Sequence, residues 1–216
     1  MSINDTSLLR KMLADGVQEL ALPLTDVQID KMIAYLLLLS KWNSVYNLTA
    51  IRDPKEMVKQ HLLDSLSAAS AFTEAKNVLD VGAGGGLPGM ILAITYPEIK
   101  ISMIDTVSKK TAFLSQAKTE LGLSNVTVHT GRVEELQVSQ KFDVITSRAF
   151  SELCNFINWS GHLLADGGQF IAMKGVAPAQ EIERLPEGWQ VKGVQALSVP
   201  GLHAERHLVF VKKSPV

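Results

Sequence analysis

An α/β fold with a mainly parallel sheet, closed by an antiparallel strand pair and preceded by a helical extension, is what this chain predicts. Three observations carry that expectation. From Lys76 onward, short apolar runs suited to strands alternate with helical runs, the arrangement that gives a parallel sheet covered by helices. The glycine-rich run Asp80-Val81-Gly82-Ala83-Gly84-Gly85-Gly86 joins the first of these strands to the helical run that starts at Leu87. Before Lys76 the apolar residues recur with helical spacing.

Taken in order, Thr25-Asp26-Val27-Gln28 reads as a capping box, a side-chain acceptor at the helix start answered by a glutamine at its third position. Met32, Ile33, Leu36, Leu37, Leu39 and Trp42 then form an apolar face, and the helix is expected to end near Lys41. Asp53-Pro54 starts another helix, because proline lacks only an N–H that the first turn leaves unpaired. Met57, Val58, His61, Leu62 and Leu66 lie along one side of it. Strands are expected at Asn77 to Asp80, Lys100 to Asp105, Thr127 to Thr130, Phe142 to Ser147 and Gly168 to Lys174. Two further apolar runs, Trp189 to Leu197 and His207 to Lys212, flank a Pro200-Gly201 turn region and suit a terminal antiparallel pair, which makes seven strands in all. The division is therefore a helical extension over 1–76 and a core over 77–216, packed as one compact unit.

Size and composition narrow the function classes. A chain of 216 residues suits one α/β domain with a small extension. Apolar residues make up 46% and charged residues 20%, and no apolar run reaches the ~20 residues of a membrane span. Met1 to Leu13 has polar and charged residues throughout and lacks the basic-then-apolar order of a secretory signal, which predicts a cytoplasmic protein without membrane partners. Cys154 is the only cysteine, so a disulfide framework and a Cys-x-x-Cys site are excluded, and the thiol is expected to be a small buried side chain. His203 and His207 have a metal-compatible spacing but fall in a strand context, and no metal is expected. A net charge of −1 excludes the strongly basic body of free nucleic-acid binders; a polyanion site would have to be a local patch.

The glycine run carries the most chemistry. Glycines at alternate positions let the backbone turn tightly at a strand end and approach a flat ligand that a Cβ would hold off. Asp105 closes the next strand about 20 residues on, the spacing at which a carboxylate reaches a ribose hydroxyl pair. It is also placed to cap the helix that starts near Ser108. Gly84, Gly86 and Gly89 match Gly-x-Gly-x-x-Gly, so a dinucleotide and a nicotinamide-dependent oxidoreductase are one reading. The acid within Asp-x-Gly-x-Gly-x-Gly and the terminal strand pair favour S-adenosylmethionine instead. A pyrophosphate dianion sits badly beside Asp80, whereas the aminoacyl end of S-adenosylmethionine offers an ammonium and a sulfonium. No Walker lysine follows the glycines, which removes the P-loop.

Beyond that run the chain resembles a known family. Lys41-Trp42-Asn43 with Asn47-Leu48-Thr49, His61-Leu62-Leu63-Asp64-Ser65-Leu66, and Asp80 through Gly89 carry the likeness. So do Lys109-Lys110 with Phe113-Leu114, Gly131-Arg132-Val133-Glu134, Ser147-Arg148-Ala149 and Lys174-Gly175. Together they are similar to the ribosomal RNA small subunit methyltransferase G family, also called glucose-inhibited division protein B, over most of the chain. The resemblance implies a Rossmann-like class I methyltransferase fold. It further implies methyl transfer from S-adenosylmethionine to N7 of a guanine in 16S ribosomal RNA, free or in the small subunit particle, by a monomer. It places Gly82, Gly84 and Leu87 in the cofactor loop, Val133 and Glu134 beside the adenine, and Arg148 facing the cofactor or the target base. Gly85 and Gly86 are more glycine-rich than some patterns of that family, which often place a bulkier residue at one of them, and a looser loop is expected from the difference.

The residues are consistent with such chemistry. N7 of guanine already carries an in-plane lone pair, so transfer needs alignment rather than a general base. The strand end that in amine-methylating relatives carries Asn/Asp-Pro-Pro-aromatic here reads Thr146-Ser147-Arg148-Ala149-Phe150, and no Pro-Cys nucleophile is present. Arg148 suits donation to guanine O6, or an ion pair with an acid such as Glu134 or Asp143. Phe150 suits the core or a stacking platform, Trp42 and Tyr46 suit packing of the extension on the sheet, and Lys109 and Lys110 suit a solvated face or phosphate contact. Methylation of another RNA base or a small molecule, and a non-enzymatic nucleotide-binding scaffold, are the remaining readings.

Overall fold

The computed structural model describes residues 3–215. Helices α1 (Ile3–Glu19) and α2 (Asp26–Tyr46) come first. A broken helix follows, made of α3 (Pro54–Met57), a π-helical turn (Val58–Leu63) and α4 (Asp64–Ser67). The capping box is formed: Thr25 N–H donates to Gln28 Oε1 at 2.9 Å and Gln28 N–H to Thr25 Oγ1 at 3.3 Å. Gln28 does more than cap its own helix, because its Nε2 donates to the carbonyls of Ile94 and Thr95, both at 2.9 Å. Those carbonyls end α5 (Gly89–Thr95) and would lack intrahelical partners. Helix α2 runs past Lys41 to Tyr46 and stops where Asn47 turns left-handed at φ 50°, a conformation asparagine tolerates. At the second predicted start, Asp53 Oδ1 accepts from the N–H groups of Lys55 and Glu56, with Pro54 in the first turn.

Seven strands form one sheet in the order β3-β2-β1-β4-β5-β7-β6. They are β1 (Asn77–Val81), β2 (Lys100–Asp105), β3 (Val126–Thr130), β4 (Phe142–Arg148), β5 (Leu164–Lys174), β6 (Trp189–Ala196) and β7 (His207–Lys213). The first five are parallel, and β7 runs antiparallel between β5 and β6. All five residues of β1 are buried, as expected for a central strand covered on both faces. Alternate residues serve opposite faces: Val78, Val144 and Ile171 join the cluster that includes α1 and α2, and Leu79, Ile145 and Phe170 join the cluster around α7 (Leu153–Ser160).

The strand order reverses between β1 and β4, which opens a crevice at their carboxyl ends. Because β7 is antiparallel, its first residue lies at that same edge, with His207 opposite Lys174. One packing expectation changes. Trp42 meets Phe113 of α6 (Ser108–Glu120) with ring centroids 5.6 Å apart, so the extension rests on a helix there rather than on the sheet, and Tyr46 covers Trp42 while staying 40% exposed.

Candidate functional site

Two cavities share the crevice and meet at Gly82, Lys110 and Ala149. The larger, about 570 Å³, lies along the glycine turn and is walled by Leu48, Thr49, His61, Asp64, Arg148 and Arg206. The smaller, about 410 Å³, is bounded by Asp105, Gly131, Val133, Glu134, Phe150 and Trp159. The seven residues singled out from sequence are thus brought to one place: Gly82, Gly84, Leu87 and Arg148 line the first, and Asp105, Val133 and Glu134 the second, with Gly82 on both.

The turn is tight rather than loose. Gly82, Gly84 and Gly86 have φ of 67°, 59° and 92°, which any side chain would strain. A Cβ on Gly86 would lie 2.7 Å from both Leu114 and Met90, so packing holds the segment expected to be slack. A Cβ on Gly82 would run into the Phe150 ring, which itself packs edge-on against Phe156 and Trp159. Phe150 therefore belongs partly to the core while its ring lines the smaller cavity. Tyr35, fully buried on α2, donates its hydroxyl to the Gly85 carbonyl and so ties the extension to the turn.

The two acids of the turn have different roles. Asp80 is fully buried and lines neither cavity; its Oδ2 accepts from Gly89 N–H at 2.8 Å, at the start of α5. The direct contact with a cationic ligand that the sequence suggested for Asp80 is replaced by this internal bond. Burial pushes its carboxyl up to about 7. Asp105 does reach the crevice. Its Oδ2 accepts from Gly84 N–H at 3.0 Å, its Oδ1 from Val107 N–H at 2.9 Å, and Lys110 stands 3.5 Å away. It thus braces the turn and the entry to α6 at once, though the cap position itself is Val107.

Arg148 pairs with neither Glu134 nor Asp143. Glu134 is held by Arg132 at 2.7 Å, and Asp143 accepts from the backbone N–H groups of Lys76 and Asn77. Instead Arg148 Nη1 donates to Asp64 Oδ2 at 2.9 Å and to the Gln60 carbonyl at 2.8 Å, and Nη2 stands 3.4 Å from His61 Nδ1. The π-helical turn makes this geometry: Asp64 N–H bonds back to Lys59 and His61, and the Gln60 carbonyl accepts from Arg148. Asp64 is 2% exposed at its side chain, and its other oxygen accepts from Arg206 Nε at 2.6 Å. His61 bonds Thr49 Oγ1 at 2.9 Å, and Thr49 is held in turn by Asn43 Oδ1. Burial, helped by the Arg148 charge, lowers His61 to about 4, so its ring is neutral at neutral pH.

Asp64, His61 and Arg206 had no assigned role from sequence. The first two stood inside a quoted motif, and Arg206 had no local signal at all. Cys154 is half-buried rather than buried, and accepts from Asn158 Nδ2 at 3.4 Å. His207 Nδ1 lies 2.9 Å from the Gly175 carbonyl. Among the described residues no cluster of three His, Cys, Asp or Glu is placed to hold a metal, and no helix is long and apolar enough to cross a membrane.

Comparison with known proteins gives the chain's relatives and its fold. The family described as rRNA small subunit methyltransferase G matches residues 28–209. A protein of Janthinobacterium sp. (strain Marseille), named ribosomal RNA small subunit methyltransferase G, is 64% identical, with 99% of each chain covered. A protein of the same name from Herminiimonas arsenicoxydans is 61% identical over 99% of this chain and 100% of its own. In fold, the chain is similar to the glycopeptide N-methyltransferase MtfA complexed with sinefungin. The TM-score is 0.60 at 11% identity, covering 72% of this chain and 87% of that one. The turn, the arginine held beside it and a match along nearly the whole length lead to one assignment: the chain belongs to the rRNA small subunit methyltransferase G family.

Proposed function

We propose that this methyltransferase transfers a methyl group from S-adenosylmethionine to N7 of a guanine in 16S ribosomal RNA, in the cytoplasm. The observation that carries the reading is the pair of bare backbone positions in the crevice. Around Gly84 the nearest group to a Cβ position is the Gly82 carbonyl at 3.8 Å, and around Gly131 nothing lies within 4 Å, so both leave room that a side chain would fill. The cradle suits an adenine nucleoside with an aminoacyl end: Asp105 for the ribose hydroxyls, Val133 and Glu134 beside the base, and Gly82, Gly84 and Leu87 along the methionine portion. A dinucleotide fits worse, because the Gly89 N–H at the start of α5, where a pyrophosphate would bind, already serves the Asp80 carboxylate.

When bound, S-adenosylmethionine supplies an electrophilic methyl group. The protein's part is positioning. Asp64, the Gln60 carbonyl and His61 fix the Arg148 guanidinium at the wall of the larger cavity. From there it suits in-plane donation to guanine O6, away from the ring face that gains positive charge on methylation. N7 uses its own lone pair, and a histidine held neutral near this arginine takes no proton at neutral pH.

Incubating unmodified 16S RNA or small subunit particles with the protein and S-adenosylmethionine, then mapping methylated nucleotides by mass, tests the proposal. One 7-methylguanine is expected. Arg148→Ala is expected to lower transfer about 100-fold with the fold intact, since misaligned reactants lose that order of rate. A methyl group on another base, or no transfer by the wild-type protein, would refute the reading.

A further inference from the structure

We propose that Arg206 forms a phosphate-binding subsite for the RNA backbone, set across the shared Asp64 carboxylate from Arg148. This rests on the RNA reading above and adds where the strand is held. The charges lining the larger cavity are Lys110, Arg148, Lys174 and Arg206 against Asp64. Lys110 has Asp105 at 3.5 Å and Lys174 has Glu181 at 2.8 Å. One carboxylate, Asp64, is then left to two guanidinium groups, at 2.9 Å and 2.6 Å. Their side chains are only 22% and 24% exposed. A cavity with one uncompensated, mostly buried positive charge is a costly arrangement unless an anion completes it.

The cofactor does not supply that anion. Its carboxylate is offset by its ammonium, and the sulfonium adds a further positive charge, so its arrival increases the excess. A phosphodiester brings one negative charge per nucleotide and matches the deficit. Donor geometry agrees. Arg206 Nε is committed to Asp64 and Nη1 to the Glu205 carbonyl at 2.8 Å, which holds the planar group in place and leaves Nη2 without a hydrogen bond among the described residues. Arg206 precedes β7 at the carboxyl edge of the parallel strands and lines the larger cavity but not the smaller, which puts it on the substrate side.

The test compares wild-type protein, Arg206→Gln and Arg206→Lys. Binding to unmodified small subunit particles is followed across a salt series, and S-adenosylhomocysteine binding is measured by calorimetry. For Arg206→Gln, particle Kd is expected to rise about 10-fold and the log Kd against log salt slope to fall by roughly 0.7 to 0.9, one phosphate contact. S-adenosylhomocysteine affinity is expected to stay within about 2-fold, and thermal stability not to fall, because the remaining Asp64–Arg148 pair is balanced. Arg206→Lys keeps the slope and loses only part of the affinity. An unchanged slope and Kd in Arg206→Gln overturns the subsite. Weakened S-adenosylhomocysteine binding overturns it in favour of the cofactor carboxylate, and an unfolded Arg206→Gln overturns the charge balance behind it. If the wild-type protein itself neither binds nor methylates the particle, the functional reading fails first.

Discussion

The smaller cavity is built from neighbours and the larger one from strangers. Asp105 ends β2, and Gly131 and Val133 follow β3, its parallel neighbour, so the crossover pattern alone delivers them to one edge. The larger cavity takes Asp64 from the helical extension, Arg148 from the end of β4 and Arg206 from the approach to β7. Its central carboxylate is 84 residues from one partner and 142 from the other. The first cavity is a property of the fold class. The second combines the glycine turn of that fold with residues of the helical extension and of the approach to β7.

The sharpest way to break this contrast is Asp64→Asn, which leaves two mostly buried guanidinium groups without a counter-charge. Stability is expected to drop by about 3 to 5 kcal/mol in urea unfolding, as when one member of a buried pair is removed. A loss under about 1 kcal/mol would mean that the carboxylate is dispensable and the larger cavity is held by packing alone. A smaller effect is expected on the other side. Asp105→Ala removes the acceptor for Gly84 N–H and the group proposed for the ribose, and is expected to weaken S-adenosylhomocysteine binding roughly 30-fold in calorimetry, about 2 kcal/mol. Unchanged affinity would take Asp105 out of the cofactor site.

The smallest effect is read by pH and compares His61, on the wall of the larger cavity, with Asp80, buried beneath the turn. Asp80, raised from 3.8 to about 7, contributes stability that is complete below pH 3.8 and is lost as pH rises through about 7. His61, lowered from 6.5 to about 4, contributes stability that is complete above 6.5 and is lost as pH falls through about 4. Between roughly pH 4 and 6.5 the two slopes oppose each other, and wild-type stability is expected to vary little there. Asp80→Asn keeps an acceptor for Gly89 N–H and removes one slope. Its stability in urea is then expected to climb with pH across that window by about 1 kcal/mol per unit. A profile that stays flat would show that His61 does not titrate as its burial implies.

The same contrast explains what the sequence made legible. Thr25 with Gln28, Asp53 with Pro54 and the turn at Gly82 and Gly84 are local signals, in which the deciding residues lie within a few positions of each other, and all three took the predicted form. Strand positions followed because an α/β sheet repeats one local pattern. Where local reading failed, the deciding partner was distant. Gly85 and Gly86 read as slack until Tyr35, Leu39, Met90 and Leu114 closed around them. Arg148 was given acids near it in sequence, Glu134 and Asp143, yet Glu134 is held by Arg132 and Asp143 by the backbone at Lys76 and Asn77, and the acid that holds Arg148 comes from the extension. The π-helical turn was hidden for another reason. Met57, Val58, His61, Leu62 and Leu66 fit ordinary helical spacing, and one extra residue in a turn shows only in which carbonyl each N–H reaches.

The origin of Asp64 in the extension has a consequence for the charge at this end of the sheet. The carboxylate that reconciles Arg148 with Arg206 arrives on a segment earlier in the chain than either. A molecule whose leading helices have come undone would present two like charges repelling each other at the mouth of an otherwise finished sheet. Docking of the extension therefore sets the charge at this end of the sheet, leaving one net positive charge where two would otherwise stand.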